Sequence, residues 1–174
     1  FGIGFRVVHG FCGASVMHEA AEYSIYTEKP TIILYVGDYD PSGMYMSDED
    51  LPKRMDRYGG SAAIRRVAIT QSDIEKDENG KSKLPSFSVE TKIKDPRYNW
   101  YKAKYGNECW ELDALSPVIL RERIDSAIRC YLDRDAWNHS LKIERAEIQA
   151  MECYKDQWMQ AISHHASKCL EATA

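Results

Sequence analysis

What this sequence lacks narrows it first. No apolar run approaches the roughly 20 residues needed to span a bilayer, so no membrane partner is expected. The cysteines (Cys12, Cys109, Cys130, Cys153 and Cys169) are odd in number and widely separated. No Cys-x-x-Cys spacing occurs, which argues against a structural zinc site. Reduced thiols in a cytoplasmic protein are the expectation. A positive excess is missing too: the net charge is −4, so any nucleic-acid contact has to come from local basic patches. No repeat, low-complexity tract or secretory signal pattern is visible. The first residue is Phe1 rather than Met, which suits a fragment or a processed chain.

The chain has 174 residues, enough for one domain with a helical appendage. Its centre of interest is Thr31 to Gly43, TIILYVGDYDPSG. Thr31 to Val36 is short, continuous and β-branched, the pattern of a buried parallel strand. Gly37 closes it, Asp38 and Asp40 follow at i, i+2, and Pro41, Ser42 and Gly43 turn the chain. Ligand sites in open α/β sheets lie past the carboxyl ends of such strands. Two carboxylates there can grip a hard cation such as Mg²⁺. An Asp-Pro-Ser-Gly turn also forms without any metal, so the residues alone leave both readings open.

Phe5 to Val8 is a short strand candidate, followed by a glycine-bearing turn, His9 to Gly13. Ala14 to Tyr26 is predicted helical, with Val16, Ala20, Tyr23 and Tyr26 on one face. The opening therefore reads strand, helix, strand, the signature of a parallel crossover and of an α/β fold. Ser47 is the predicted N-cap of a helix that runs through Lys53, Arg54 and Arg57 to a stop at Gly59-Gly60. Ala62 to Thr70, which carries Arg65 and Arg66, contains a third strand with Val67, Ala68 and Ile69 as its core. Gln71 to Lys83 reads as a polar surface loop, and Pro85 to Thr91 as a short extended piece. Arg97 to Tyr105 interleaves tyrosines, Trp100 and lysines, which fits a half-buried helix better than a stacking platform. Glu108 to Leu115 is a predicted strand carrying Glu111 and Asp113. Ser116-Pro117 opens a helix to about Leu132, and Asp135 caps a long last helix, Ala136 to Ser167. That helix has an apolar stripe suited to a homodimer or a partner domain. His164-His165 near its end do not share a face, which argues against a metal site there.

Asp38-Tyr39-Asp40-Pro41-Ser42-Gly43 resembles the Asp-x-Asp-Pro-x-Gly segment of Toprim domains, in the form seen in topoisomerase VI A-like proteins and their meiotic double-strand-break relatives. His9 to Ser15 is similar to the glycine turn upstream of that segment, and Glu111 to Leu115 to a Glu-Leu-x-Ala-Leu stretch downstream. The resemblance covers roughly Phe5 to Leu115. It implies a mostly parallel Toprim/Rossmann-like sheet flanked by helices over 1–115, with C-terminal helices over 116–174. It also implies Mg²⁺ (or Mn²⁺) on Asp38 and Asp40, with Gly37 and Gly43 shaping the turn and Glu111 and Asp113 as candidate additional ligands. Lys53, Arg54, Arg57, Arg65 and Arg66 are candidate phosphate contacts. DNA is the expected partner and RNA the alternative.

The family's third ligand, a strand-end glutamate, has no evident counterpart, because the only upstream strand ends in His9. Either His9 replaces it, or the glutamate-bearing first strand precedes Phe1. The family's catalytic tyrosine, in a winged helix, also has no counterpart here. The implied function is a metal-binding domain of a topoisomerase- or nuclease-type DNA-processing protein. The alternative is a catalytically incomplete nucleic-acid-binding or assembly module.

Overall fold

The computed structural model describes residues 3–7, 13–80 and 82–171, with side chains described as far as residue 163. The chain divides into two compact units, Phe1–Ile128 and Arg129–Ala174. The division falls at the end of the helix that Pro117 opens, and not at its start.

In the first unit, residues 3–7 have no regular structure and are exposed, so the strand expected from Phe5 is not formed over its described part. A strand exists only by pairing, and residues 3–7 pair with neither sheet. Val8 and the turn residues His9 to Cys12 lie outside the described residues. Helix α1 (Ala14–Tyr26) forms as expected. Its inner face is Met17 and Ala21, with Val16 and Ala20 beside them, while Tyr23 and Tyr26 are exposed. The rotation has a steric cause. A Cβ at Gly60 would lie 2.6 Å from the Ala21 Cα, so only two small residues allow α1 this close to the turn after the following helix. Ser24 accepts a hydrogen bond from the Ser61 N–H at 3.0 Å and secures the contact.

Strand β1 (Ile32–Val36) pairs in parallel with β2 (Ala63–Ala68), Ile32 opposite Ala63 and Tyr35 opposite Arg66, with an irregularity between Tyr35 and Val36. These are the two strands of the parallel sheet among the described residues. With so narrow a sheet β1 is half-buried along its whole length, not enclosed as its apolar run suggests. The crossover is helical: α2 (Pro41–Tyr45), one π turn (Met46–Asp50) and α3 (Leu51–Arg57). The helix therefore starts well before the expected cap. Its N-cap is Asp40, whose carboxylate accepts the Gly43 N–H at 2.8 Å, and Pro41 occupies the first position, where a missing N–H costs nothing. Ser47 is inside the helix and buried, not a cap. The wider π turn ends two residues before Pro52, whose ring disfavours a regular preceding turn. Met17, Ala21, Met46, Leu51 and Met55 form a core against the Ile33, Tyr35 and Ile64 face of the sheet.

Helix α4 (Gln71–Ile74) occupies the start of the segment read as loop. The Asp73 carboxylate accepts from the Thr70 N–H and Oγ1, each at 2.8 Å. Strand β3 (Phe87–Ser88) pairs antiparallel with β4 (Glu108–Cys109), and helix α5 (Tyr98–Tyr105) lies between them in the chain. The strand expected over Glu108 to Leu115 is this short because a 3-10 turn, Leu112–Ala114, takes its second half. Tyr39 and Trp110 exchange backbone hydrogen bonds at 2.8 and 3.0 Å, which ties the end of β1 to the end of β4. Around that bridge sits the larger core, with Tyr101 fully buried and its hydroxyl donating to the carbonyls of Glu108 and Tyr39. The aromatic segment thus packs as a half-buried helix: Lys102 and Lys104 reach outward to Glu90 and Asp48.

Helix α6 (Pro117–Arg129) is capped by Ser116, whose Oγ accepts the Ile119 N–H. Leu120 packs on the larger core, and Arg123 makes a two-pronged ion pair with Asp73. In the second unit, helix α7 (Arg134–Glu171) is capped by Asp133, ahead of the expected Asp135, because the Asp133 carboxylate accepts the N–H groups of Asp135 and Ala136, each at 3.0 Å. The side chains of His164 and His165, and Cys169, lie outside the residues whose side chains are described. Among the described residues no helix is long and apolar enough to cross a membrane.

The close approach at Gly43 can be measured. A Cβ there would lie 2.2 Å from the backbone oxygen of Asp38. Gly43→Ala should therefore cost about 3 kcal/mol in urea unfolding. Gly59→Asn, at φ +75 with open space, should cost well under that. The Asp73 pair should show in the pH profile. Burial works against the charge of Asp73, but bonds from Arg123 and Thr70 outweigh it and hold its pKa below the ordinary carboxylate value. A depressed folded pKa stabilises above the unfolded pKa, so this contribution should fade as pH falls below about 4. Asp73→Asn should flatten that acid limb of the stability profile.

Candidate functional site

The end of β1 is held by one side chain. Arg66, from β2, donates through Nη1 to the carbonyls of Gly37 (3.0 Å), Asp38 (3.1 Å) and Ile69 (3.3 Å). Its Nη2 donates to the Gly43 carbonyl at 2.6 Å, and both Nη2 and Nε reach the Ser47 hydroxyl. A guanidinium has five N–H donors, and these acceptors engage all of them. The group also lies over the Tyr35 ring, 4.9 Å from its centroid. Burial pulls the Arg66 pKa down, with Tyr35 and Asp48 opposing it, and an arginine stays charged regardless. Arg66 is thus a clamp on the turn, and its donors are not free for the phosphate contact expected of it.

The clamp presents Asp38 and Asp40. The Asp38 Oδ1 accepts the Leu112 N–H at 2.7 Å, across from the β4 segment. Asp40 is 5 % exposed. Its Oδ1 serves as the helix cap, and its Oδ2 lies 3.2 Å from the Lys92 ammonium. Lys92 comes from the 3-10 turn Val89–Lys92 after β3. Burial opposes its charge, but the bond to Asp40 and the fields of Asp40, Glu111 and Asp38 prevail and raise its pKa above the ordinary lysine value. The candidate site is therefore two carboxylates and one ammonium. Lys92 was not among the expected residues. Nothing in the run Val89-Glu90-Thr91-Lys92 singles it out; the β3–β4 pairing and the Tyr39–Trp110 bridge together bring it to Asp40.

Glu111 and Asp113 do share a surface depression with Asp38, lined also by Leu112, Leu115 and Leu120. Both are exposed on or beside the 3-10 turn instead of lying at a strand end. Among the described residues no three His, Cys, Asp or Glu side chains gather closely enough to hold a metal ion. The residues present do not form a self-contained Mg²⁺ cage. An ion such as Mg²⁺, often bound through one or two carboxylates plus phosphate oxygens and water, would have to take Asp40 Oδ2 from Lys92.

The remaining basic candidates are spread over two elements. Lys53 pairs with Glu49 at 2.7 Å and Arg54 with Asp50 at 3.1 Å, both along the helical crossover. Arg57 is exposed on α3, and Arg65 is exposed on the β2 face opposite Arg66. Close by, Asp48 accepts from the Tyr105 hydroxyl, from Lys104 at 3.1 Å and from Ser47 at 2.9 Å. Burial pushes the Tyr105 phenol up to about 12, so it remains a proton donor to Asp48 at neutral pH.

No family model, curated protein or solved structure matches this chain.

Arg66→Met should destabilise the first unit by about 3 kcal/mol, since several carbonyls lose a charged donor at once. Arg66→Lys should recover little of it, because an ammonium cannot reproduce the planar fork. Chemical denaturation of the two variants checks this; a fully stable Arg66→Lys would contradict the clamp.

Proposed function

We propose that the first unit is a Toprim-like, phosphate-handling domain of a DNA-processing protein, with its working edge at Asp38, Asp40 and Lys92. The observation that carries the reading is the position of the two carboxylates just past the C-terminal end of a parallel strand, with an ammonium 3.2 Å from one of them. Asp38 and Asp40 would hold Mg²⁺ or Mn²⁺ when a phosphodiester completes the ion's shell. The ion would supply charge neutralisation at that phosphate. Lys92 would offer its ammonium to a phosphate oxygen in place of Asp40. Lys53, Arg57 and Arg65 are the exposed basic groups suited to backbone contact. No nucleophile is assigned to this chain, so strand cleavage or joining of the topoisomerase VI A-like kind belongs to a larger protein in this reading.

A second reading has its own support. The Lys92–Asp40 pair already neutralises the edge, which suits a catalytically incomplete module that binds nucleic acid or assembles without metal chemistry.

Titration calorimetry with Mn²⁺, alone and with a short DNA duplex, separates the two. Asp38→Asn and Asp40→Asn keep the acceptor that bonds Leu112 and the cap to Gly43, so the fold should persist. Under the first reading DNA strengthens Mn²⁺ binding and each Asn variant weakens it at least tenfold. Mn²⁺ binding that is absent with DNA, or identical in the Asn variants, leaves the second reading. Replacing the duplex by RNA tests the nucleic-acid class.

A further inference from the structure

Helix α7 exposes large apolar side chains along most of its described length: Ile148 is 49 %, Met151 72 % and Trp158 68 % exposed. Their order is regular. Leu141, Glu144, Ile148, Met151, Lys155 and Trp158 follow one another at alternating spacings of three and four, the a/d seam of a coiled coil. Only Glu144 and Lys155 interrupt it with charge, and Ile162 continues it at the next a position.

We propose that α7 pairs with α7 of a second copy of this chain as an antiparallel two-helix coiled coil centred between Ile148 and Met151. In that register each a residue faces a d residue of the other copy. Leu141 meets Trp158, Ile148 meets Met151, and Glu144 meets Lys155, each twice by symmetry. Both charged interruptions are thereby paired with each other inside an otherwise apolar seam. Beside the seam Arg145 faces Glu152 of the second copy, again opposite in sign. A parallel in-register pair would instead set Glu144 against Glu144 and Lys155 against Lys155, burying like charges. Sliding the antiparallel pair by a heptad would leave both charges facing apolar side chains. One register alone satisfies the whole seam, and its symmetry is that of a closed dimer, with the same patch used by both copies. The pairing stands independently of the metal reading of the first unit.

Sedimentation equilibrium on the full chain tests it with wild type, E144K, K155E and the double variant E144K/K155E. The wild type should dimerise at micromolar concentration. Each single swap should weaken the dimer at least tenfold, and the double swap should restore it, with helix content by circular dichroism the same in all four. A monomeric wild type would assign the stripe to a different occupant and overturn the proposal. Single swaps without effect, or a double swap no better than the singles, would overturn the antiparallel register.

Discussion

The Arg66 guanidinium is the interaction on which the first unit depends. At the carboxyl end of the two-stranded parallel sheet the carbonyls keep a second lone pair after their backbone bonds, as Gly37 does after accepting the Ile69 N–H, and further donors can hold them in place. Arg66 supplies them to Gly37 and Asp38 at the end of β1, to Ile69 after β2, and to Gly43 and Ser47 on the helical crossover. One planar, rigid group thus fixes three backbone segments to one another. Gly43 is required because its backbone passes against the Asp38 carbonyl, where a Cβ has no room. The buried hydroxyl of Ser47 is required as the remaining acceptor. The positions of Asp38 and Asp40 follow from this clamp and from the Tyr39–Trp110 bridge between them.

Charge balance then governs the edge. Each carboxylate spends one oxygen on a backbone N–H, Asp38 on Leu112 and Asp40 on Gly43. The outer oxygen of Asp40 takes Lys92, so the most buried negative charge at the edge is neutralised from within the chain. Such a pair needs its full complement of hydrogen bonds to be tolerated away from water. Under the proposed metal reading, a cation that displaced Lys92 from Asp40 would leave its ammonium beside the site. The two readings of the unit therefore differ in what occupies the edge and not in where it is.

Much of this is legible in local chemistry. The helix at Ala14 to Tyr26, the strand ending at Val36, the stop at Gly59-Gly60 and the Ser116-Pro117 start follow from periodicity, capping and the conformational habits of Pro and Gly. The misplaced features share a different cause. Asp40-Pro41 reads as a turn and is a helix cap and first position, because the same dipeptide serves both and only the continuation decides. Glu108 to Leu115 alternates like a strand but is cut short by its fit against Asp38. Arg66 reads like its exposed neighbour Arg65, since adjacent strand residues point to opposite faces and the run of residues does not say which face is covered.

By itself the sequence determined the composition of the strand-end motif, the order of most elements and the apolar stripe of the last helix, because these depend on periodicity and near neighbours along the chain. Only the tertiary structure decided that Lys92 meets Asp40, that Arg66 turns inward, and that Glu111 and Asp113 line a surface depression with Asp38. Each of these joins residues distant in sequence, and such pairings are set by how the β1–β2 and β3–β4 ladders pack, which no local pattern encodes.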